Sequence, residues 1–389
     1  MRILLVHTYY QEPGGEDVVF QQEKNLLSTS HTVEEFTANN QKGFLGLIQT
    51  ALSPWNFKAG QRFEKILRQF KPDVIHVHNL HYALGPWILR RACKMGIPVV
   101  MTLHNYRLLC PSATLFYDGK LFTDSLYESF PWTAIHKGVH SQSKIKTAWL
   151  AWTTYFHHKL GTFQKVDRFI TLTPFARHLF INSSLGLKPD QMVVKPNVTA
   201  PAMVPPTERG KQFLFVGRLS QEKGIIPLIE AFKHSPYTLK IAGQGPLLSL
   251  VRSATQTHSN IEYLGVLDRL EIQQQMSSCS ALIFPSLWYE GMPMTLLEAF
   301  SLGTPVLASR LGAMESMIDD GIQGYLFEAG QISSIQECLK RWTETSEEVK
   351  AAIQINVLRT YESLYKPEQT LAQLEEIYHS VHKKTLNGR

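Results

Sequence analysis

The sequence predicts an α/β protein built from two doubly wound parallel-sheet domains in series. Three observations predict it: short apolar runs, amphipathic stretches between them, and a proline-dense segment at mid-chain. The runs Ile3–Val6, Val74–Val77, Val99–Leu103 and Arg168–Leu172 read as strands of a first domain. Phe213–Val216, Leu239–Ile241, Ala281–Phe284 and Pro305–Ala308 read as strands of a second. These runs barely alternate, as expected where helices cover both faces of a sheet. At 389 residues the chain is too long for one comfortable core and suits two domains. Lys195 to Pro206 holds four prolines in twelve residues, which makes a stiff connector and a natural boundary. The expected division is residues 1–196, residues 207–365 and a closing helix over 366–389. In that helix Leu371, Leu374, Ile377 and Val381 recur at helical spacing, and it is expected to return to the N-terminal domain.

Composition narrows the classes of function. Hydrophobic residues make up 44% and charged residues 19%, so the chain is globular rather than disordered. Cys93, Cys110, Cys279 and Cys338 show no C-x-x-C spacing, hence no zinc signature and no disulfide framework. A reducing compartment fits best. The net charge of +6 favours anionic partners. No dense basic run interleaved with aromatics appears, so nucleic acid is not an expected partner. The opening apolar run is four residues long and reads as a buried strand rather than a signal peptide. No stretch is apolar for the roughly 18 residues a membrane span needs.

Two loops carry the chemistry. Phe284-Pro-Ser-Leu-Trp-Tyr-Glu290-Gly-Met-Pro-Met-Thr-Leu-Leu-Glu298 reads as a strand end, a turn, and a helix starting near Pro293. The N–H groups and dipole of such a helix end attract an anion. Glu290 precedes the helix, and Glu298 lies more than a turn inside it. A carboxylate there is better placed to accept hydrogen bonds from neutral hydroxyls than to sit beside phosphate. Phe213-Leu-Phe-Val-Gly217-Arg218-Leu-Ser-Gln-Glu-Lys223-Gly224 is a strand entering a glycine turn with two cations. An arginine fork and a lysine point charge are a common pairing around a diphosphate.

Together the two loops resemble those of the family 4 glycosyltransferases, which have the GT-B fold of two Rossmann-like domains facing across a cleft. The resemblance includes Ala242-Gly-Gln-Gly-Pro246, Leu302-Gly-Thr-Pro-Val306, Gly321-Ile-Gln-Gly324 with Tyr325-Leu326, and the E-x7-E spacing of Glu290 and Glu298. It implies that Arg218 and Lys223 bind the donor diphosphate and that Glu298 holds the ribose. It also implies that Glu290 faces the donor sugar, while Gly291, Met292, Pro293 and Met294 complete the phosphate and sugar contacts. The implied reaction is transfer, with retention, of a hexose-type sugar from a nucleoside-diphosphate sugar to a glycan or lipid-linked acceptor in cell-surface polysaccharide synthesis. Neither metal nor cofactor is implied, and the nucleotide sugar is substrate. A nucleotide-sugar epimerase of the same fold and a non-catalytic sugar-nucleotide-binding protein are the alternatives.

The resemblance reaches the first domain too. Gln11-Glu-Pro-Gly14-Gly15-Glu16-Asp17 follows the first strand and resembles the family's glycine loop, where backbone approaches the donor phosphate. His104, in Val99-Val-Met-Thr-Leu-His-Asn-Tyr-Arg107, matches a histidine that reaches the donor sugar. The segment continues through Tyr106, Arg107 and Cys110 but lacks a second cysteine pair, which speaks against a bound metal or disulfide there. His76 and His78 share one strand face, yet no acid or cysteine stands near them in sequence, so His78 reads as a cleft residue rather than a ligand. Lys137 to Lys159 holds an amphipathic helix with Ile145, Ala148, Trp149, Trp152, Phe156 and Leu160 on one face. Lys144, Lys146, His157, His158 and Lys159 add positive charge. Such a helix packs on a core or lies on an anionic membrane. The expected location is cytoplasmic, at the inner face of the cell membrane if that helix touches lipid.

Overall fold

The computed structural model describes residues 1–11, 14–205 and 207–386. Glu12 and Pro13 of the glycine loop, and Pro206 of the connector, lie outside them. The strands in chain order are β1 (Arg2–Tyr9), β2 (Thr32–Asn39), β3 (Val74–Val77), β4 (Val99–Leu103), β5 (Phe116–Tyr117), β6 (Lys120–Leu121) and β7 (Arg168–Thr171). They continue with β8 (Met192–Val194), β9 (Phe213–Val216), β10 (Leu239–Ala242), β11 (Ile261–Gly265), β12 (Ala281–Phe284), β13 (Val306–Ser309) and β14 (Gly324–Phe327). The chain forms two compact units. The first comprises Met1–Ala113, Thr123–Val198 and Pro367–Arg389; the second comprises Thr114–Phe122 and Thr199–Lys366.

The first unit holds a parallel sheet in the order β2-β1-β3-β4-β7-β8. Its central strands β3 and β4 are buried at every residue, which is why their sequences are apolar without alternation. The helix Pro367–Leu386 packs on this sheet: Leu374, Ile377, Tyr378 and Val381 join Ile3, Leu5, Phe20, Val74, Val100 and Ile170 in one core. Each such side chain contributes about 1.5–3 kcal/mol when fully buried. Lys195 is not part of a free connector. Its backbone extends the sheet through a bond to the Thr171 carbonyl, and its side chain is buried.

The second unit holds a parallel sheet in the order β11-β10-β9-β12-β13-β14. The strand order reverses between β9 and β12, as it does between β1 and β3 in the first unit. Such switch points open a crevice beyond the strand carboxyl ends, because the connections on either side leave in opposite directions. Thr114–Phe122, which carries the β5–β6 hairpin, belongs to this unit although it interrupts the first in sequence. The edge strands β2, β8, β11 and β14 escape a reading for apolar runs, since three of them carry charged, polar or half-exposed residues and β14 begins with glycine.

Candidate active site

In the second unit, the loops after β9 and β12 flank the switch point, and they are the two loops singled out by their residues. Gly217 follows β9 and Gly224 closes the short 3-10 turn Gln221–Lys223. Gly224 has φ +71°, and a Cβ there would lie 1.8 Å from the Pro285 carbonyl oxygen, so the β12 loop packs directly on this backbone. The Leu287 amide donates to the Glu222 carbonyl at 2.8 Å and stitches the loops together. This contact brings Lys223 to Glu290: Nζ stands 2.7 Å from Oε1. The Ser286 hydroxyl donates to the same carboxylate oxygen at 2.7 Å. The Lys223 and Glu290 side chains are 20% and 7% exposed, so the pair is held largely out of water but open on one side. The Lys223 ammonium also lies 5.5 Å from the Phe284 ring centroid and 5.4 Å from that of Trp288, within cation–π range.

Arg218 stands at the carboxyl end of β9, exposed, with no hydrogen bond or ion pair of its side chain among the described residues. It is not drawn into the Lys223–Glu290 pair. The helix Met294–Ser301 begins where the spacing places it, with Pro293 as N-cap. Pro293 has no N–H, so donors at this helix end come from Gly291, Met292 and Met294, while proline supplies shape. Met292 is buried and Met294 half-buried. Glu298 is half-buried, and burial raises its carboxyl above the usual range, only partly countered by the charge of Arg269. No hydrogen bond to its carboxylate is present among the described residues, which leaves its lone pairs for a ligand.

In the first unit, the loops after β1 and β3 flank the other switch point. Gly14 caps the helix Gly15–Leu27 in an extended conformation, and a Cβ on it would meet nothing within 4 Å. Its use is an open approach rather than a special φ. Asp17 Oδ2 accepts from the Gly14 amide at 2.9 Å, while Oδ1 meets His7 Nε2 at 2.7 Å. The buried His7 thus anchors the loop through Asp17, and its own pKa is lowered by burial despite the carboxylate. Gly15 is exposed at the first turn. His104, at the end of β4, lines a shallow recess with Glu16, His78, Asn79, His81, Asn105 and Arg107. Burial drives the His104 pKa down to about 3, so its ring is neutral and acts only as a hydrogen-bonding group. Its Nε2 meets His78 Nδ1 at 3.0 Å. Glu16 accepts from Tyr10 Oη and Asn105 Nδ2, both at 3.2 Å, and burial pushes its carboxyl up to about 8.

Beneath His104 lies a feature the linear reading did not find. Glu23, from the helix Gly15–Leu27, is fully buried and paired with the buried Lys195. Burial works to raise its pKa, and the Lys195 charge reverses the shift to below the ordinary value. Glu23 Oε2 lies 3.6 Å from His78 Nε2 and 3.9 Å from His76 Nδ1. An acid therefore does stand beside the two histidines, brought there by the fold from 53 and 55 residues away. The arrangement still suits a salt bridge better than a cation. The Lys195 ammonium occupies Glu23, and both His76 ring nitrogens are bonded, Nδ1 to Tyr378 Oη at 2.7 Å and Nε2 to Thr102 Oγ1 at 2.8 Å.

The basic helix forms inside Lys137–Lys159, and of its two readings the packing on the protein is the one observed, with one change in its charge. It spans Lys144–Lys159, separated from a shorter helix, Trp132–Lys137, by the left-handed Gly138. Its aromatic face is mostly covered: Trp152 and Phe156 pack on Trp55 with ring centroids 5.7 and 4.4 Å apart, and Trp149 Nε1 donates to the Thr50 carbonyl at 2.7 Å. His157 adds no charge, because it is fully buried between the Pro54 carbonyl and Thr162, and burial lowers its pKa. His158 is likewise lowered by burial and by Lys159. Cys110 is buried and accepts hydrogen bonds from the Ser112 and Ser125 hydroxyls at 3.3 and 3.5 Å.

The residues missed in the sequence are those that act through the fold. His7, Glu23 and Lys195 looked like ordinary strand, helix and connector residues, and Asn105 and Arg107 had no partner in sequence. The neighbouring Glu16-Asp17 pair after the two glycines was the available signal.

Comparison with known proteins agrees with this geometry. Residues 201–356 match the model of glycosyl transferases group 1, and residues 43–201 match that of glycosyltransferase family 4. An uncharacterized 42.6 kDa protein in the cps region of Klebsiella pneumoniae is 22% identical over 352 residues, covering 82% of this chain and 87% of its own. The UDP-Gal:alpha-D-GlcNAc-diphosphoundecaprenol alpha-1,3-galactosyltransferase of Escherichia coli is 30% identical over 141 residues, which is 34% of this chain and only 36% of that protein. The crystal structure of Anabaena HepE in complex with UDP superposes with a TM-score of 0.68 at 17% identity, covering 98% of this chain and 100% of that one. Two parallel-sheet units with these switch-point loops, matched across residues 43–356 by two models of one enzyme family, place the chain among the family 4 glycosyltransferases of the GT-B fold.

Proposed function

We propose that this chain transfers a hexose-type sugar, with retention, from a nucleoside-diphosphate sugar to a glycan or lipid-linked acceptor in cell-surface polysaccharide synthesis. The observation that carries the reading is the grouping at the β9/β12 switch point. There Arg218, the Lys223–Glu290 pair and the start of the helix Met294–Ser301 stand on adjoining loops. Lys223 and Arg218 offset the charge that builds on the departing diphosphate, and the helix end adds its N–H groups. That charge is supplied without a divalent metal. Glu298, whose half-buried carboxylate bonds no other group among the described residues, accepts from the ribose hydroxyls. Glu290, already fixed by Lys223 and Ser286, positions the sugar. Within the first unit, Gly14 and Gly15 offer an open backbone approach for phosphate, and the neutral His104 offers hydrogen bonds to sugar hydroxyls without exchanging a proton.

The relatives support the reading in kind. The Escherichia coli protein uses UDP-Gal and a diphosphoundecaprenol-linked sugar, and the Anabaena structure holds UDP. The direct test is thermal shift with UDP-, GDP- and ADP-sugars, followed by nucleoside-diphosphate release with candidate acceptors. A donor at ~100 times its dissociation constant stabilises by roughly 2.7 kcal/mol. Glu298→Ala should remove most of that shift for the matching donor. No shift with any nucleotide sugar would overturn the donor assignment, and an isomerised sugar nucleotide formed without acceptor would identify an epimerase instead.

A further inference from the structure

The helix Gly43–Leu52 has no buried residue, although it is one of the most apolar helices of the chain. Phe44 is 75% exposed, and Leu45, Leu47, Ile48 and Leu52 are exposed with it. The helix is not loosely placed. Gln49 bonds the Gln41 amide and the Asn39 carbonyl at 2.8 and 3.1 Å, and the Thr50 carbonyl accepts from Trp149. Polar bonds therefore hold the helix to the first unit, and its apolar side chains are left outside. One turn before Trp149 stands Ile145, 84% exposed, between the exposed Lys144 and Lys146. Soluble surfaces seldom gather this many large apolar side chains at one place without a use.

The charges around this face say what covers it. From Phe36 to Phe63 the sequence contains no Asp or Glu, and from Ser129 to Val166 it again contains none. Lys42 and Lys58 lie at or near the ends of the short helix, and Lys144 and Lys146 flank Ile145. Exposed apolar side chains on acid-free segments that carry exposed lysines match the interface of an anionic bilayer. There the side chains enter the acyl boundary and the lysines meet phosphate. We propose that Gly43–Leu52, with Ile145 and its flanking lysines, is a membrane-docking face for an anionic lipid surface. The face is thereby assigned to the helix Gly43–Leu52 rather than to the aromatic stripe of Lys144–Lys159, whose Trp149, Trp152 and Phe156 are half-buried and whose last two pack on Trp55. That docking serves a lipid-linked acceptor rests on the function proposed above; the docking itself rests on this face alone.

The test is co-sedimentation of the full chain with phosphatidylcholine vesicles, with and without about one third phosphatidylglycerol. Binding is expected to the anionic vesicles, to weaken with added salt, and to be at least ~10-fold weaker with phosphatidylcholine alone. The double variant Phe44→Glu with Leu47→Glu should lower the partition coefficient at least ~10-fold, and Lys144→Ala with Lys146→Ala should lower it several-fold. Both variants should keep the wild-type melting temperature and nucleotide-sugar thermal shift, which shows that fold and donor site are intact. Equal binding by the glutamate variant and wild type would overturn the proposal, as would absence of binding to anionic vesicles. So would a concentration-dependent dimer that the glutamate variant abolishes while vesicles bind neither protein, because the face would then belong to a second copy. Loss of the donor shift in wild type would sink the glycosyl-transfer reading and leave the lipid result standing.

Discussion

Lys223 and Glu290 should behave as one functional unit, and a double-mutant cycle measures this. The ammonium and carboxylate are 2.7 Å apart with side chains 20% and 7% exposed, so their attraction is screened far less than on an open surface. At an effective dielectric of 20 the gross Coulomb term is about 6 kcal/mol, from which desolvation of both ions subtracts several. A net coupling of about 1.5–3 kcal/mol remains, at the lower end of what close, desolvated charge pairs give. Lys223→Ala and Glu290→Gln should each lower turnover by ~100-fold or more, the scale of losing one transition-state contact. If they acted independently, the double variant would fall by ~10⁴ or more. With the coupling worked out here, the double variant should retain at least ~10-fold more activity than that product. Each single change already leaves the partner's charge or its shape misplaced. The assay is nucleoside-diphosphate release at saturating donor and acceptor, with circular dichroism to exclude misfolding. Losses that multiply to within about 0.5 kcal/mol would refute the idea that the pair works as a unit.

Three further outcomes follow from the geometry. Lys195→Met strands Glu23 as a buried charge and should cost about 3–5 kcal/mol, read as a lowered denaturation midpoint. Adding Glu23→Gln should recover much of it, and a loss below ~1 kcal/mol would show that Glu23 finds water instead. Glu16 has its folded pKa raised to about 8, so the folded form keeps a proton that the unfolded chain releases near the ordinary carboxylate value of 4.5. Its contribution is fully present below that value and is lost as pH rises through about 8. Glu16→Gln should flatten stability between those limits in thermal melts across pH, and an unchanged profile would count against the shift. Gly224→Ala places a Cβ 1.8 Å from the Pro285 carbonyl oxygen at φ +71° and should separate the two donor loops. Donor binding by calorimetry should weaken at least ~10-fold, and wild-type affinity would mean that the loop contact is dispensable.

The sequence was informative wherever the determinants are local. Central strands such as Val74–Val77, Val99–Leu103 and Ala281–Phe284 begin and end where their apolar runs do, because burial on both faces admits a polar side chain only when it is bonded, as His76 and Thr102 are to each other. Edge strands such as Thr32–Asn39 and Ile261–Gly265 went unread because one side faces water and the pattern dilutes. The helix over Lys144–Lys159 was legible in period, yet its periodicity could not say that Trp55 would cover the aromatic face. Nor could it say that five large apolar side chains of Gly43–Leu52 would be left exposed together.

By itself, the sequence determined the α/β class, the central strands, the start of the helix Met294–Ser301 and the E-x7-E spacing of Glu290 and Glu298. These depend on residues within a turn or a strand of one another, where propensity and period operate. Only the tertiary structure decided that Lys223 pairs with Glu290, 67 residues away, and that Lys195 neutralises Glu23 across 172. It alone decided that Tyr378 reaches His76 across 302. Such contacts follow from the order in which parallel strands join a sheet. That order is set by the packing of the connecting helices as a whole, and no short segment of the chain encodes it.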